Sequence, residues 1–533
     1  MSQLLSNAVR NSTWTGLGSL GSAVLGFIFA GVTIRWLGAA EAGFVIAVTT
    51  IAGINAGLSE LGLGTAATRI IARAYAEQDS ATVRKVGGVC CLVSGAFGVL
   101  GFALFAGGAP AIIRWAKYDG NHTVAATYCV LAGLVFFLNQ LSSLCTALLT
   151  SAQRFDWTTK FTLGLNFAQG LCGITFLKMF PSVLTVGITY AALAIIGTVL
   201  RGLAVRKVFG VFPWPLWDRG IFRELWEFGR WIYLAQITGK MADGLDKVIL
   251  VSLFGSATLP FYSFAQRIYV MVHTTLVGQA TYLFPMLSAQ GAELAAVAER
   301  TEERVRWFIA VIAGTLFSGL IIAGPALLTL VVSPAFAAKA SFQLLVFSFV
   351  GYIHAQSIVP YFYNLSKGDA KGNSIFQIIT GFGILPALWA CAYLAGQQDA
   401  VFGQLMIFCG VLYIARRGYS GKSASGFIRW FFKPLYSSLA LMVAATGIHL
   451  GLAVARASLV TNITVTVLFY LVVALTLARI ERSLLSGESR VETLGRGLSI
   501  IFRKLGLSTD LLFQILAIPK PVAPMNAPST SSL

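Results

Sequence analysis

The chain has 533 residues, of which 56% are hydrophobic and 11% charged, with a formal net charge of +18. A soluble chain carries about a quarter charged residues, so this one lacks the charge to cover a water-facing surface. The basic excess would suit nucleic acid, but its placement between apolar runs points to a membrane instead, and no nucleic-acid partner is expected.

A bilayer core needs about 20 apolar residues per helix. Fourteen such runs occur in order: 14–34, 41–61, 86–109, 124–149, 161–179, 183–203, 229–253, 258–285, 307–332, 341–364, 374–395, 399–415, 434–455 and 460–479. Barrel strands would alternate apolar and polar residues over about 10-residue segments, and these runs are too long and too uniformly apolar for that. The expected fold is an all-α integral membrane protein with about 14 transmembrane helices. The first run follows a polar start and is long enough to span, so it is expected to stay as an anchor, with no cleavable signal peptide.

With both termini and the even-numbered loops in the cytoplasm, 30 of the 39 Lys and Arg fall on that side. Six fall on the other side, Arg35, Arg114, Lys117, Lys178, Lys339 and Arg456, and three lie inside helices, Lys240, Lys247 and Arg267. This positive-inside bias supports an even helix count and cytoplasmic ends. Outside loops are short, the longest at about 110–123. The larger inside loops are 62–85, 204–228, 286–306 and 416–433. None is large enough for a separate soluble domain, so function is expected within the helices and their ends.

A faint repeat appears at an offset of 217: Trp14 matches Trp231, Gly38 matches Gly255, Ala40 matches Ala257 and Phe44 matches Phe261. Six helices between repeats imply parallel halves. The expected organisation is a six-helix lobe at 1–210, a second at 211–430, two further helices at 431–480 and a cytoplasmic tail at 481–533. In the tail, Val491, Leu494, Leu498, Ile501 and Leu505 share one helical face, with Arg496 and Arg503 opposite. That pattern suits a helix lying on an anionic leaflet or a solvated tail, and 519–533 reads as disordered.

Few motifs carry chemistry. GLGSLG at 16–21 matches a dinucleotide-binding pattern but lies inside an apolar run with no strand before it; close helix packing explains the glycines better. No metalloprotease, phosphate-loop or zinc spacing occurs. The seven cysteines all lie in apolar runs and read as small core residues. Asn11, Asn121 and Asn462 begin glycosylation sequons of the kind that occur by chance. No catalytic residue, metal or cofactor is expected.

The seventh run is the exception. Lys240, Asp243, Asp246 and Lys247 lie inside it, and each charge at a helix centre costs roughly 2.5–3.5 kcal/mol. At about 100° per residue, Gln236, Lys240, Asp243 and Lys247 fall on one narrow stripe, with Asp246 beside it. The eighth run carries a second stripe, Tyr262, Gln266, Tyr269 and His273, with Arg267 off that face. A looser stripe in the tenth holds His354, Ser357, Tyr361 and Asn364. A structural role in interhelical hydrogen bonds accounts for a lone His or Tyr; four charges on one helix argue for a wet, functional cavity.

Three segments, NSTWTGLGSLGSAVLGFIFAGVTIRWLGAAEAGF, ELGLGTAATRIIARAYAE and DKVILVSLFGSATLPFYSFAQRIYVMVHTTLVGQATYLFPMLS, resemble the polysaccharide transporter family of the multidrug/oligosaccharidyl-lipid/polysaccharide exporter superfamily. The resemblance runs to about residue 480 and implies two lobes around a central cavity. It further implies a bacterial inner-membrane flippase, not an enzyme, whose cargo is an O-antigen or exopolysaccharide repeat unit on a polyprenyl diphosphate. The chain departs from the family at Asp246–Lys247, where Asp-Arg is common: the charge stays but the bidentate fork is lost. Lys240 is an added cation. On this reading Lys240, Lys247, Arg267 and Arg35 attract the diphosphate, Gln236, Tyr262, Gln266 and Tyr269 suit sugar hydroxyls and rings, and His273 completes the cavity. Asp243 and Asp246 either hold the lysines apart or titrate with a coupling ion. Membrane lipids and other polysaccharide-assembly proteins are the further expected partners. The rivals are a cation-coupled drug antiporter of the same superfamily, a membrane polymerase or acyltransferase, and a scaffold acting through its tail.

Overall fold

The computed structural model describes residues 2–210, 213–280, 295–419, 421, 423–455 and 458–484. The amphipathic tail and the disordered segment expected beyond 484 lie outside the described residues, as do the side chains of Trp14 and Trp231.

The chain folds into helices α1 (Ser2–Ser59), α2 (Leu63–Ala76), α3 (Ser80–Gly107), α4 (Ala109–Trp115), α5 (His122–Ser151), α6 (Phe155–Met179), α7 (Val183–Phe209), α8 (Arg219–Phe254) and α9 (Leu259–Ala280). These are followed by α10 (Ala295–Val331), α11 (Pro334–Ala355), α12 (Ile358–Ser366), α13 (Ala370–Phe382) and α14 (Ile384–Ala395). A 3-10 stretch (Asp399–Met406) then leads to α15 (Ile407–Gly418), α16 (Ala424–Phe432), α17 (Tyr436–Val454) and α18 (Leu459–Leu484). All fourteen expected runs are mainly helical over their described parts, interrupted at Gly108, Gln356–Ser357 and Gly383 and ending before Glu60 in the second. Nine helical stretches among the described residues are long and apolar enough to cross a membrane, at mean hydropathies of 1.4–2.3. The first two expected runs merge into one of these, and α8 and α9 carry the polar stripes. The protein is an all-helical integral membrane protein.

Starts and stops follow from local chemistry. Asp79, Asn121 and Asp218 each accept two backbone N–H groups at the start of α3, α5 and α8, satisfying donors that a helix leaves orphaned. Ser333 caps α11 with Pro334 in its first turn. Three stretches expected as loops contain helices: α2, α4 and α16. In α2 the residues Ala66, Ala67, Ile71 and Ala74 are buried against α3 and α5, so a polar-looking loop supplies an apolar face at helical spacing. The tenth and eleventh expected runs each break in two, at Gln356–Ser357 and at Gly383.

The described chain divides into two compact units, one of residues 1–284 with 327–419, the other of 285–326 with 420–533. In the larger unit α1 packs against α6, α8 and α9, α5 lies between α3 and α7, and α9 lies on α11. Two glycines turn the chain in the same way: Gly38, inside α1, has φ 80° and ψ 173°, and Gly255, ending α8, has φ 83° and ψ 169°. Both values lie in a region that only glycine enters freely, and these are the two glycines that the sequence repeat aligns. Phe44, six residues past the first turn, packs on Tyr118 at 4.6 Å between ring centroids. Phe261, six past the second, stacks on Phe336 at 4.9 Å.

In the smaller unit, Arg306 is buried with its guanidinium 3.6 Å from the centre of the Trp430 ring. One of its nitrogens donates to the Phe431 carbonyl at 3.3 Å. Gly314 admits Ser438 of α17, and Gly319 admits Tyr470 of α18, where a Cβ would strike the ring. Small residues thus let these helices approach closely, as membrane helices commonly do.

Candidate functional site

Asp246 anchors the polar interior of the larger unit. It is 1% exposed. One carboxylate oxygen accepts from Tyr262 Oη at 2.9 Å and Gln266 Nε2 at 2.7 Å; the other accepts from Lys247 Nζ at 3.3 Å. Gln404, in the 3-10 stretch, donates in turn to the Tyr262 hydroxyl. A buried carboxylate is tolerable only when paired and hydrogen-bonded, and each partner here is itself held by packing; Tyr262 sits edge-on to Phe347 at 5.1 Å.

About two turns along α9 from Tyr262, a second polar cluster forms around Tyr269. The Tyr269 hydroxyl and His354 Nδ1 are hydrogen-bonded at 2.6 Å. The rings of His273 and His354 stack at 3.9 Å, 6° from parallel, and His273 Nδ1 is buried without a hydrogen-bond partner. These groups, with Asp246, Gln266 and Gln404, line a cavity of about 420 Å³.

Gln266 also lines a second cavity, of about 440 Å³, between α1, α6, α7, α8 and α9. Lys247 and Arg267 project into it beside Gln169 and Tyr190. Arg267 makes no ion pair among the described residues, and Gly26 of α1 leaves room for its guanidinium: a Cβ there would lie 3.0 Å from an Arg267 nitrogen. Two cations therefore face this cavity, one held by Asp246 and one without a counter-ion among the described residues.

The structure brings together Asp246, Lys247, Tyr262, Gln266, Arg267, Tyr269 and His273. Arg35 stands apart, exposed, with a guanidinium nitrogen 3.4 Å from the Leu330 carbonyl. The backbone of α8 is helical at Gln236, Lys240 and Asp243, but their side chains lie outside the described residues. Sequence reasoning left out Gln404, Tyr190 and Gln169, and placed His354 on a stripe without joining it to Tyr269. The available signal was a lone amide or phenol within an apolar run, the kind of residue that a membrane interior disfavours without a partner.

Both ends of the helix pairs are bridged. At one, Trp115 Nε1 donates to Ser252 Oγ and Lys117 Nζ to the Leu253 carbonyl, each at 2.9 Å, while Ser256 N–H donates to the Ala116 carbonyl at 2.8 Å. At the other, Tyr233 Oη donates to the Leu58 carbonyl at 3.2 Å. Gly62, with φ +67°, meets Gly229 so closely there that a Cβ would overlap its carbonyl. Among the described residues no three His, Cys, Asp or Glu gather as a metal site.

These features define a polytopic all-helical membrane protein with internal polar cavities that hold cations. The family of polysaccharide biosynthesis proteins matches residues 8–290, more than half of the chain, and the chain belongs to that family. Among solved structures it is similar to the lipid II flippase MurJ in an inward closed conformation, with a TM-score of 0.68 and 12% identity over 88% of this chain and 99% of that one. It is also similar to an inward-facing multidrug resistance transporter of the MATE family in the MOP superfamily, with a TM-score of 0.63 and 13% identity over 79% and 95%. A MATE structure in the straight conformation gives 0.53 and 13% over 81% and 96%. At these identities the likeness establishes the fold. No curated protein matches the sequence.

Proposed function

We propose that the protein flips a polyprenyl-diphosphate-linked oligosaccharide, the repeat unit of a surface polysaccharide, across the bacterial inner membrane by alternating access. The observation that carries this reading is the cavity in which Arg267, without a counter-ion among the described residues, stands beside Lys247. A cation in a membrane interior needs compensation, and a diphosphate arriving with the cargo supplies it. The polar head would ride in the cavities while the polyprenyl tail stays in lipid. Gln266, Tyr269 and His273 would contact the head group, with Gln236, Lys240 and Asp243 kept in the site on sequence grounds and Arg35 at its edge. The lobes 1–210 and 211–430 would rock about the two glycine turns, breaking one end bridge at a time. Both termini would be cytoplasmic, so labels near 220 and 425 should react from the cytoplasm and labels near 118 and 337 from outside.

The family match and the fold shared with a lipid II flippase support this reading. A drug antiporter is the second reading, favoured by the likeness to a multidrug transporter. Against it, the described lining of the Lys247–Arg267 cavity carries two cations and, among the described residues, no carboxylate, the wrong sign for cationic drugs. The test is flipping of a fluorescent polyprenyl-diphosphate glycan in proteoliposomes. Arg267→Ala should slow it about tenfold, the equivalent of about 1.4 kcal/mol, and Arg267→Lys should slow it less. Equal rates in all three proteins would remove the diphosphate from this cavity.

A further inference from the structure

The first helices hold a cavity that the cation cluster does not explain. It measures about 530 Å³, within the range of about 300–1,000 Å³ typical of ligand pockets. Its polar lining includes Glu60, Asn139, Gln140, Asn166, Gln169 and Arg201. The middle of α5 and of α6, the later part of α7 and the turn after α1 supply these residues.

Two observations point to a ligand. Asn139, Gln140 and Asn166 make no side-chain hydrogen bond among the described residues, in a structure whose other intramembrane hydroxyls largely bond back to their own helices. A polar group left dry and unpaired costs about 1–3 kcal/mol, so these amides face something wet or something bound. The second observation is Arg201, whose Nε is buried without a partner. Glu60 lines the same cavity but no ion pair joins the two among the described residues. A guanidinium presents a planar fork matched to a carboxylate, and the amides, each donor and acceptor at once, match sugar hydroxyls, which are the same. Tyr128, Phe136 and Tyr190 add ring faces for the apolar sides of a sugar.

Resting on the flippase reading above, we infer that this cavity is the glycan subsite for the cargo and that Arg201 receives the carboxylate of an acidic sugar. Gln169 and Tyr190 line both this cavity and the one holding Lys247 and Arg267. One head group can therefore reach from the cations, where its diphosphate sits, into the amide-lined space, where its sugars sit. The arrangement assigns selection among glycans to α5, α6 and α7 and retention of the diphosphate to α8 and α9.

The experiment measures thermal unfolding of the purified full chain with three soluble probes: cellobiouronic acid, cellobiose and inorganic pyrophosphate. The acidic disaccharide should raise the midpoint more than the neutral one. Arg201→Gln should abolish that preference, and Asn166→Leu should weaken the apparent affinity for both sugars at least fivefold. Neither change should alter the pyrophosphate response, which Arg267→Gln should remove. Asn166→Leu provides an independent arm should Arg201→Gln fold poorly. The inference is overturned if the wild type does not distinguish the two sugars, or if either folded variant responds to them as the wild type does. A wild type that responds to the acidic sugar but not to pyrophosphate supports the sugar subsite while refuting the diphosphate reading.

Discussion

Asp246 and Arg267 lie on consecutive helices, and the cavities they line share Gln266, yet they are treated oppositely. Asp246 is closed off and accepts from Tyr262, Gln266 and Lys247. Arg267 is open to its cavity and has no carboxylate partner among the described residues. The contrast separates two uses of charge in a membrane. A fully partnered charge fixes the geometry of the helices around it, whereas an unpartnered one at a cavity wall persists only if water or cargo compensates it.

The strongest way to break this comparison is to remove each charge in turn. Asp246→Leu strips Tyr262, Gln266 and Lys247 of a buried acceptor, so it should destabilise the protein by about 3–5 kcal/mol. Arg267→Ala should cost less, about 1 kcal/mol at most, because it breaks no ion pair among the described residues. Thermal unfolding in detergent measures both; similar losses in the two variants would mean that Arg267 also serves the fold.

The two glycine turns sharpen the same point for the backbone. Gly38→Ala and Gly255→Ala each force a side chain into a region costing about 1–3 kcal/mol. Gly255→Ala should cost more, because its Cβ would lie 3.2 Å from Lys117 Cβ whereas nothing stands near that of Gly38. Equal stability of Gly38→Ala and wild type would show that the first turn is not constrained as the second is.

A smaller effect is expected at the bridge between Trp115 and Ser252. Trp115→Phe loses one hydrogen bond, about 1 kcal/mol, and should shift the population towards states open at that end by about fivefold. Spin labels at the exposed positions Asp119 and Ala257, with Cys172, Cys391 and Cys409 replaced, should report a larger long-distance fraction. An unchanged distance distribution would mean the bridge is not a gate.

The smallest effect lies outside the spans. Arg417, and after it the Gly372 N–H, hold the Asp369 carboxyl below the usual carboxylate range. The stabilisation is therefore present above the unfolded value of about 3.9 and is lost as pH falls through the lower folded value. Asp369→Asn should lower the unfolding midpoint slightly at pH 7, and the difference should shrink as pH falls below the usual carboxylate range. A difference that does not shrink would assign the effect to the cap on α13 rather than to charge.

How far these features were legible depends on the distance over which they are decided. The fourteen apolar runs are visible because transfer of a helix into hydrocarbon is a local sum over its own residues. The stripe of Tyr262, Gln266, Tyr269 and His273 was visible for the same reason, since helical periodicity places its members on one face. The helix of α2 was not, because its apolar face gains meaning only from α3 and α5. The repeat rested on a few identities until the matching torsions of Gly38 and Gly255 strengthened it.

The sequence by itself determined that the chain is helical, that it belongs in a membrane, and that α8 and α9 carry groups a membrane interior does not tolerate unpartnered. Only the tertiary structure decided which of those groups the protein satisfies and which it leaves open. The partners come from far along the chain: Gln404 reaches Tyr262, His354 meets Tyr269 and His273, and Gln169 and Tyr190 face Lys247 and Arg267. Periodicity places a side chain on a face of its own helix, but packing brings that face to another, and a charge is neutralised by whatever stands opposite it in space.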